Sequence, residues 1–569
     1  MTADPQPRTV HGRFAQQARR RPDALALTCL DGDAVRRLSR LELAALVDAA
    51  GQALLAFGAR RGERVVLVLP NDESFAAVLL AAMERGIVPV PAATPATTRT
   101  EAFGLRLRGI VADCRPVLVV TTAPWHDAVR TALGGHDVPG GVRSWPEPAG
   151  PGAPALPPRG RPAGTYAPPP DAPPPDAPAF LQYTSGSTGS PKGAVISHGA
   201  LYAACAQAAR VYGERPDDVA VTWVPLHHDM GLVTGLLRPL FSGYPSVLMA
   251  PEAFARRPGA WLSAVTEHGG TLSSAPDFAY ALCARKVTDA ELAALDLRRW
   301  RIARSAGEVV RAATAERFGA RFAAAGFSPR SLCPSYGMAE ATLTVTASTP
   351  DSPPLRLAVR TDALRAGRVV PAAPGTPATL LLSSGTPLPG TSVQVRARDG
   401  GAGREDGPRV GEVVIRGPQL FDGYWPARRR PAARHATGDR GFLYGGHLFV
   451  VGRTDNVLVH HGRNFYPADV LAACEEVAGL RPGRCAAFGV ADGGSEGGVC
   501  LVAELADGPG TPPAARVAAE VRRRLASSLD LYVGEVVLLP GGGLPVTTSG
   551  KVRVGETKRR LARGTLPRL

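Results

Sequence analysis

Between Phe180 and His198 the chain reads FLQYTSGSTGSPKGAVISH, a segment that few folds can accommodate. An apolar run suited to a strand, Phe180 to Tyr183, enters a stretch of small and hydroxyl residues, Thr184 to Gly193. A second strand pattern, Ala194 to Ser197, leaves it. Small residues such as Gly186 and Gly189 let backbone N–H groups approach phosphate oxygens, the hydroxyls of Thr184, Ser185, Ser187 and Thr188 add donors, and Lys192 adds charge. The segment predicts a phosphate cradle between buried strands; the plainer alternative is a solvated Gly/Ser hairpin. The P-loop of nucleoside triphosphatases is excluded, because it would need Gly at Pro191 and Ser or Thr at Gly193, and would lead into a helix.

The rest of the chain supplies the sheets that such a cradle needs. At 569 residues it is long enough for two or more domains. Helical patterns at His11 to Arg20, Leu41 to Phe57 and Ser74 to Arg85 alternate with strand patterns at Arg64 to Leu69 and Pro116 to Thr121, which predicts a largely parallel sheet. Fifteen prolines between Pro139 and Pro178 predict an extended connector with little regular structure. A second Pro-rich stretch, Thr349 to Pro377, carries one short helix pattern near Asp362 to Ala366. Strand patterns at Thr391 to Arg396, Gly411 to Arg416 and His447 to Gly452 then predict a small antiparallel or barrel-like part. From Thr454, helix patterns (Pro467 to Val477, Pro513 to Leu529) and strand patterns (Val499 to Glu504, Gly534 to Leu538) predict a separate α+β domain. The expected division is 1–453 and 454–569.

Charge and cysteine content narrow the functional classes. The formal net charge is +15, and all but four of the 65 basic residues are Arg. They are dispersed, with no basic stripe interleaved with aromatics, so an Arg-rich coding bias explains the excess better than a nucleic-acid surface. The four lysines (Lys192, Lys286, Lys551, Lys558) then mark places that favour a compact ammonium over a planar guanidinium. Eight scattered cysteines show no zinc-like spacing and fit a reduced, cytoplasmic compartment, and no apolar run approaches a membrane span. In Trp223 to Leu232, WVPLHHDMGL, the His-His-Asp run is a poor metal set if it lies on a strand, where neighbours face opposite ways.

The cradle segment resembles the signature loop of the adenylate-forming enzymes. Further motifs like theirs follow in order: YGMAE (Tyr336 to Glu340), TGD (Thr437 to Asp439), GRTD (Gly452 to Asp455) and PVTTSGK (Pro545 to Lys551). Any one alone is a common loop or turn; together they are specific. The resemblance implies an α/β fold, with a large N-terminal domain of parallel and mixed sheets and a small mobile C-terminal α+β domain. It implies ATP and Mg²⁺ as cofactors. Nucleotide contacts would come from the loop and Lys192, from Gly307 and Glu308, from Ser335, Tyr336, Gly337, Met338 and Ala339, and from Asp439 and Arg453. Glu340 and Thr188 would hold the metal, Asp455 would be the hinge, and Lys551 would bridge the substrate carboxylate and the α-phosphate.

WVPLHHDMGL, together with LMAPEAF (Leu248 to Phe254) and SYGMAEATL (Ser335 to Leu343), resembles the fatty acyl-AMP ligase branch. That likeness implies a fatty or related carboxylic acid as substrate and a separate acyl carrier protein as acceptor. Trp223, His228, Asp229 and Gly231 would lie at the substrate site, with His228 also catalytic. The 45 residues from Glu340 to Gly385 leave room for the branch's inserted segment, expected at 349–377. Ser305 stands where the branch has Asn, and Asn456 where an acidic residue is common. The alternatives are an acyl-CoA ligase, an inactive homologue, and a nonenzymatic binding protein.

Overall fold

The short apolar runs of the N-terminal four-fifths assemble into two largely parallel sheets with helices between and around them. The computed structural model describes residues 8–96, 100–145, 171–184, 191–396, 407–426, 434–454, 458–460, 463–465, 467–474, 477–490, 498–508, 510–529, 531–546 and 552–569. The larger sheet has nine strands. Its centre is parallel and runs Leu25–Asp31, Ser246–Met249, Ala220–Thr222, Leu272–Ala275, Ile302–Ser305 and Leu332–Gly337. Antiparallel strands close both edges: Ala34–Ser39 on one side, Thr344–Ala347 and Thr386–Pro387 on the other. The second sheet is wholly parallel, in the order Val88–Pro91, Arg64–Val68, Leu118–Thr121, Val142–Ser144.

Helix Glu73–Glu84 (ESFAAVLLAAME) is apolar on every side, and each side chain from Ser74 to Glu84 is buried. Such a helix belongs inside the molecule. Its N-terminus is capped by Asp72, whose carboxylate accepts from Ser74 N at 2.9 Å; burial pushes this carboxyl up to about 6. In the same core the rings of His11 and His198 meet edge to face at 5.0 Å, both within 1% of full burial.

The cradle segment folds as predicted into an antiparallel hairpin of Pro178–Thr184 and Lys192–Ser197, with Thr184 opposite Lys192. Residues 185–190 lie outside the described residues. The small antiparallel part is a four-stranded meander, Ser392–Arg396, Gly411–Arg416, His435–Tyr444 and His447–Arg453. A further core, centred on Val470, Leu501, Val521, Leu525 and Leu539, draws all its buried residues from Leu458 onward. Strand Gly498–Leu505 is its middle strand, antiparallel to Leu480–Val490 and parallel to Glu535–Leu539. The Arg365 guanidinium lies 4.8 Å over the Phe465 ring, so the 349–377 region touches this C-terminal part.

Three expectations need correction. Within the Pro-rich connector, Val142–Ser144 adds a strand to the second sheet. Within 349–377 the expected helix forms at Thr361–Arg365, but strand Arg356–Arg360 precedes it and pairs with Ala378–Leu382. His227, His228 and Asp229 do not lie on a strand: His228 is the N-cap of helix Asp229–Leu232, with its Nδ1 3.3 Å from Met230 N. The preceding strand ends at Thr222, and the Asp229 carboxylate accepts from Met230 N at 2.7 Å, which satisfies one donor of the helix start.

Candidate functional site

The hairpin's second strand is held from two sides. Strand Pro178–Thr184 pairs with one edge, while the other receives Gly423 O on Val195 N (3.0 Å) and offers Gly193 O to Trp425 N (2.8 Å) and Val195 O to Asp422 N (2.8 Å). Gly193 is needed here, because a Cβ would lie 2.9 Å from Cζ of Tyr183. This splice brings Tyr424 beside the hairpin. The Lys192 ammonium is 5.6 Å from the Tyr424 ring centre, and the Tyr424 hydroxyl donates to Glu340 Oε1 at 2.5 Å. Burial and the Glu340 charge push the Tyr424 phenol up, so it stays a donor.

Glu340 stands in a tight turn after strand Leu332–Gly337. Gly337 is required, since a Cβ would come within 1.6 Å of Leu343 O. Two residues past Glu340, Thr342 has φ +58, a rare conformation for a β-branched residue. Its hydroxyl donates to Gln419 O at 2.7 Å, which helps hold the turn. The segment forms a single 3₁₀ turn, Ala339–Ala341, with Ala339 buried and Met338 half-buried. The Tyr336 hydroxyl donates to Asp439 Oδ2 at 2.6 Å, and Arg453 Nε lies 3.8 Å from Asp439 Oδ1. The structure therefore brings Lys192, Tyr336, Glu340, Asp439 and Arg453 into one neighbourhood.

The WVPLHHDMGL segment forms the adjoining wall. His228 Nδ1 is 2.7 Å from Asp229 Oδ1. Burial pushes the Asp229 carboxyl up, but the His228 charge and hydrogen bond outweigh it and hold it below the usual range. Gly231 is packed against backbone; a Cβ there would lie 2.3 Å from Pro225 O. Gly307, at φ +80, faces this wall, and a Cβ on it would lie 3.2 Å from Met230 Cε. Asn71, which sequence reasoning missed, ties the segment down: Nδ2 donates to Val224 O (3.0 Å) and Met249 O (3.1 Å), and Oδ1 accepts from Leu226 N (2.8 Å). Trp223 is buried and stacked on Phe254 at 3.8 Å, inside an aromatic cluster with Trp261 and Phe278. Glu308 accepts from Phe278 N at 3.1 Å, and Ser335 is buried on the strand before Tyr336.

Ser185, Gly186, Ser187, Thr188, Gly189, Asp455 and Lys551 lie outside the described residues, as does the side chain of Thr184. Among the described residues no group of three or more His, Cys, Asp or Glu could hold a metal ion. The oxygen donors present, with Glu340 as a lone carboxylate, fit Mg²⁺ arriving with a polyphosphate, an ion usually held by one or two carboxylates plus phosphate oxygens.

A model of the AMP-binding enzyme family matches residues 14–425. The chain is 32% identical to the long-chain-fatty-acid–AMP ligase FadD26 of Mycobacterium marinum, over 96% of each protein. It is 31% identical to the medium-chain-fatty-acid–acyl-carrier-protein ligase JamA of Moorena producens, covering 89% of this chain and 87% of that one. It also superposes, with a TM-score of 0.86 and 28% identity over 98% of both chains, on a structure from work on fatty acyl-adenylate ligases of E. coli and L. pneumophila. Sequence match, full-length relatives and superposition agree: the chain belongs to the AMP-binding enzyme family, in its fatty acyl-AMP ligase branch.

Proposed function

We propose that this adenylate-forming ligase couples a fatty or related carboxylic acid to ATP, giving acyl-AMP and pyrophosphate. It then delivers the acyl group to the phosphopantetheine thiol of a separate acyl carrier protein. The observation that carries the reading is the meeting of Lys192, Glu340 and the Tyr336–Asp439–Arg453 group around the hydroxyl-rich hairpin. Lys192 and the loop hydroxyls 184–188 would hold the phosphates, and Asp439 with Arg453 the ribose. Tyr336 keeps its hydroxyl on Asp439 and presents its ring toward the base.

Glu340 would hold Mg²⁺ with Thr188, and the ion would offset charge on the phosphates. The acid's carboxylate oxygen attacks the α-phosphorus and pyrophosphate leaves. Lys551, carried by a C-terminal domain hinged at Asp455 with the boundary at 453/454, would bridge the two reacting anions. The carrier thiolate then attacks the acyl carbonyl and AMP leaves. Seven of the eight cysteines are buried, which supports a reducing, cytoplasmic setting. No helix among the described residues is long and apolar enough to cross a membrane.

Exchange of radiolabelled pyrophosphate into ATP, dependent on added acid, is the expected activity. Lys551→Ala should lower it by about a hundredfold or more; full exchange in that variant would count against the assignment. Thioester formation on a holo carrier protein, measured against free coenzyme A, decides the acceptor.

A further inference from the structure

Helix Thr100–Cys114 packs on strand Lys192–Ser197 of the hairpin that frames residues 185–190. Arg106, Gly109 and Asp113 follow one another at spacings of three and four, which puts them on one face of this helix. Asp113 accepts a hydrogen bond from the hydroxyl of Tyr183, which precedes the hydroxyl-rich loop. Gly109 lies against Pro191, which follows it: a Cβ there would be 3.0 Å from Pro191 Cγ. Arg106 is one turn nearer the helix start and half-buried. It is an electrostatic neighbour of His227, whose carbonyl accepts from Gln182 Nε2 of the hairpin at 2.9 Å. Arg553 is its other neighbour, contributed by the C-terminal part. There Arg553 N donates to Pro545 O at 2.8 Å and Val546 pairs with Val552, which fixes Arg553 two positions after Lys551.

Arg106 and Arg553 are cations that repel each other. Burial and the Arg553 charge push Arg106 down to about 10, which still leaves it charged at neutral pH. Burial and the Arg106 charge hold His227 well below its usual range, so the imidazole is neutral. Among the described residues no acid stands beside Arg106, in contrast to Arg238, which pairs with Glu214. Arg553 has Glu556 close by, but that carboxylate already accepts from Arg559 and Arg560. Like charges held together with too little counter-charge raise the energy of the ligand-free fold, and an anion placed between them recovers it. Each guanidinium can offer two parallel N–H donors to phosphate oxygens.

On this basis, and resting on the reading in the preceding section, we infer that Arg106 and Arg553 together grip the β- and γ-phosphates of ATP and the pyrophosphate they become. The place fits the polyphosphate end of the nucleotide. The contacts of the helix face, Tyr183 and Pro191, flank the loop, while Asp439 and Arg453 already serve the ribose. Neither guanidinium takes part in bond making; both are binding residues. Arg553 travels on the same segment as Lys551, so one movement of the C-terminal part delivers both to the nucleotide.

The test uses the full-length enzyme as wild type, Arg106→Leu, Arg106→Lys, Arg553→Leu and the double Leu variant. In acid-dependent exchange, R106L and R553L should each raise the KM for pyrophosphate by about tenfold or more, the weight of a hydrogen bond to a charged group. The KM for the acid should change far less. R106K should keep part of the affinity, and the double variant should lose less than the product of the two single losses, because one ligand bridges both side chains. Melting gives a second readout. Without ligand R106L should melt no lower than the wild type, since a repulsion is removed, and inorganic pyrophosphate should raise the melting temperature of the wild type but not of R106L. An unchanged KM for pyrophosphate in both single variants would overturn the inference. So would an increase confined to the KM for a holo carrier protein, which would assign the pair to the phosphopantetheine phosphate. Pyrophosphate protection that depends on Arg106, in a protein that exchanges with no acid, would support the site and overturn the functional reading. Neither exchange nor protection would overturn both.

Discussion

The buried rings of His11 and His198 make acid sensitivity a quantitative test of the core. Both titrate near 6.5 in an unfolded chain. In the fold, burial, joined at His11 by the neighbouring His198, lowers them to about 3 and about 4. Above pH 6.5 both states hold neutral rings. As the pH falls below that value the unfolded chain takes up protons that the fold refuses, and stability drains away until the folded values are reached. Between pH 7 and pH 5 the loss is about 2 kcal/mol per ring, about 4 kcal/mol for the pair. Asp72 and Asp277 act in the opposite sense: burial raises both to about 6, so the fold protonates first and regains about 1 kcal/mol each over the same interval. A comparison of the wild type with His11→Phe, His198→Phe and the double variant cancels the carboxylates. Guanidinium denaturation at pH 7 and pH 5 should show the double variant losing about 4 kcal/mol less than the wild type on acidification, and each single variant about half of that difference. Equal acid losses in all four proteins would refute neutral burial of the rings.

Three further outcomes follow from the site. Gly231→Ala would push a Cβ to 2.3 Å from Pro225 O, forcing the His228–Asp229 turn to move; exchange should fall about tenfold or more with a drop in melting temperature, since misplacing reacting groups by about 1 Å is that costly. Asp439→Ala removes the acceptor of the buried Tyr336 hydroxyl, so it should cost about 1–3 kcal/mol in denaturant titrations and raise the KM for ATP. Tyr424→Phe removes the donor to Glu340 and should raise the Mg²⁺ concentration for half-maximal exchange by about tenfold, the usual weight of a group that orients a metal ligand, with little change in stability.

What sequence could reveal depended on how local the physics was. The hairpin and its Thr184–Lys192 register follow from two strand patterns and the small residues between them. Helix Arg40–Ala56, predicted at Leu41 to Phe57, begins with a capping box in which Ser39 and Glu42 satisfy each other's backbone N–H. The partners of the motif residues were not legible. Tyr424 meets Glu340 from 84 positions away, and Asp439 meets Tyr336 from 103. Strand Arg356–Arg360 was hidden because its neighbours are rich in proline and its outward residues are charged or small, leaving only Leu357 and Val359 buried. His-His-Asp reads as strand because WVPL precedes it, and nothing in the letters signals that a histidine will stand at the N-cap of a helix.

The helix that begins at Asp229 continues into a π-helical turn, Val233–Leu237, which absorbs one extra residue. Deleting one residue there would let the backbone close in ordinary α-helical fashion and leave Arg238–Ser242 facing as before. Arg238 would keep its buried pairing with Glu214, so a family member one residue shorter here would differ in the lining of the WVPLHHDMGL wall while its downstream helix stayed in place.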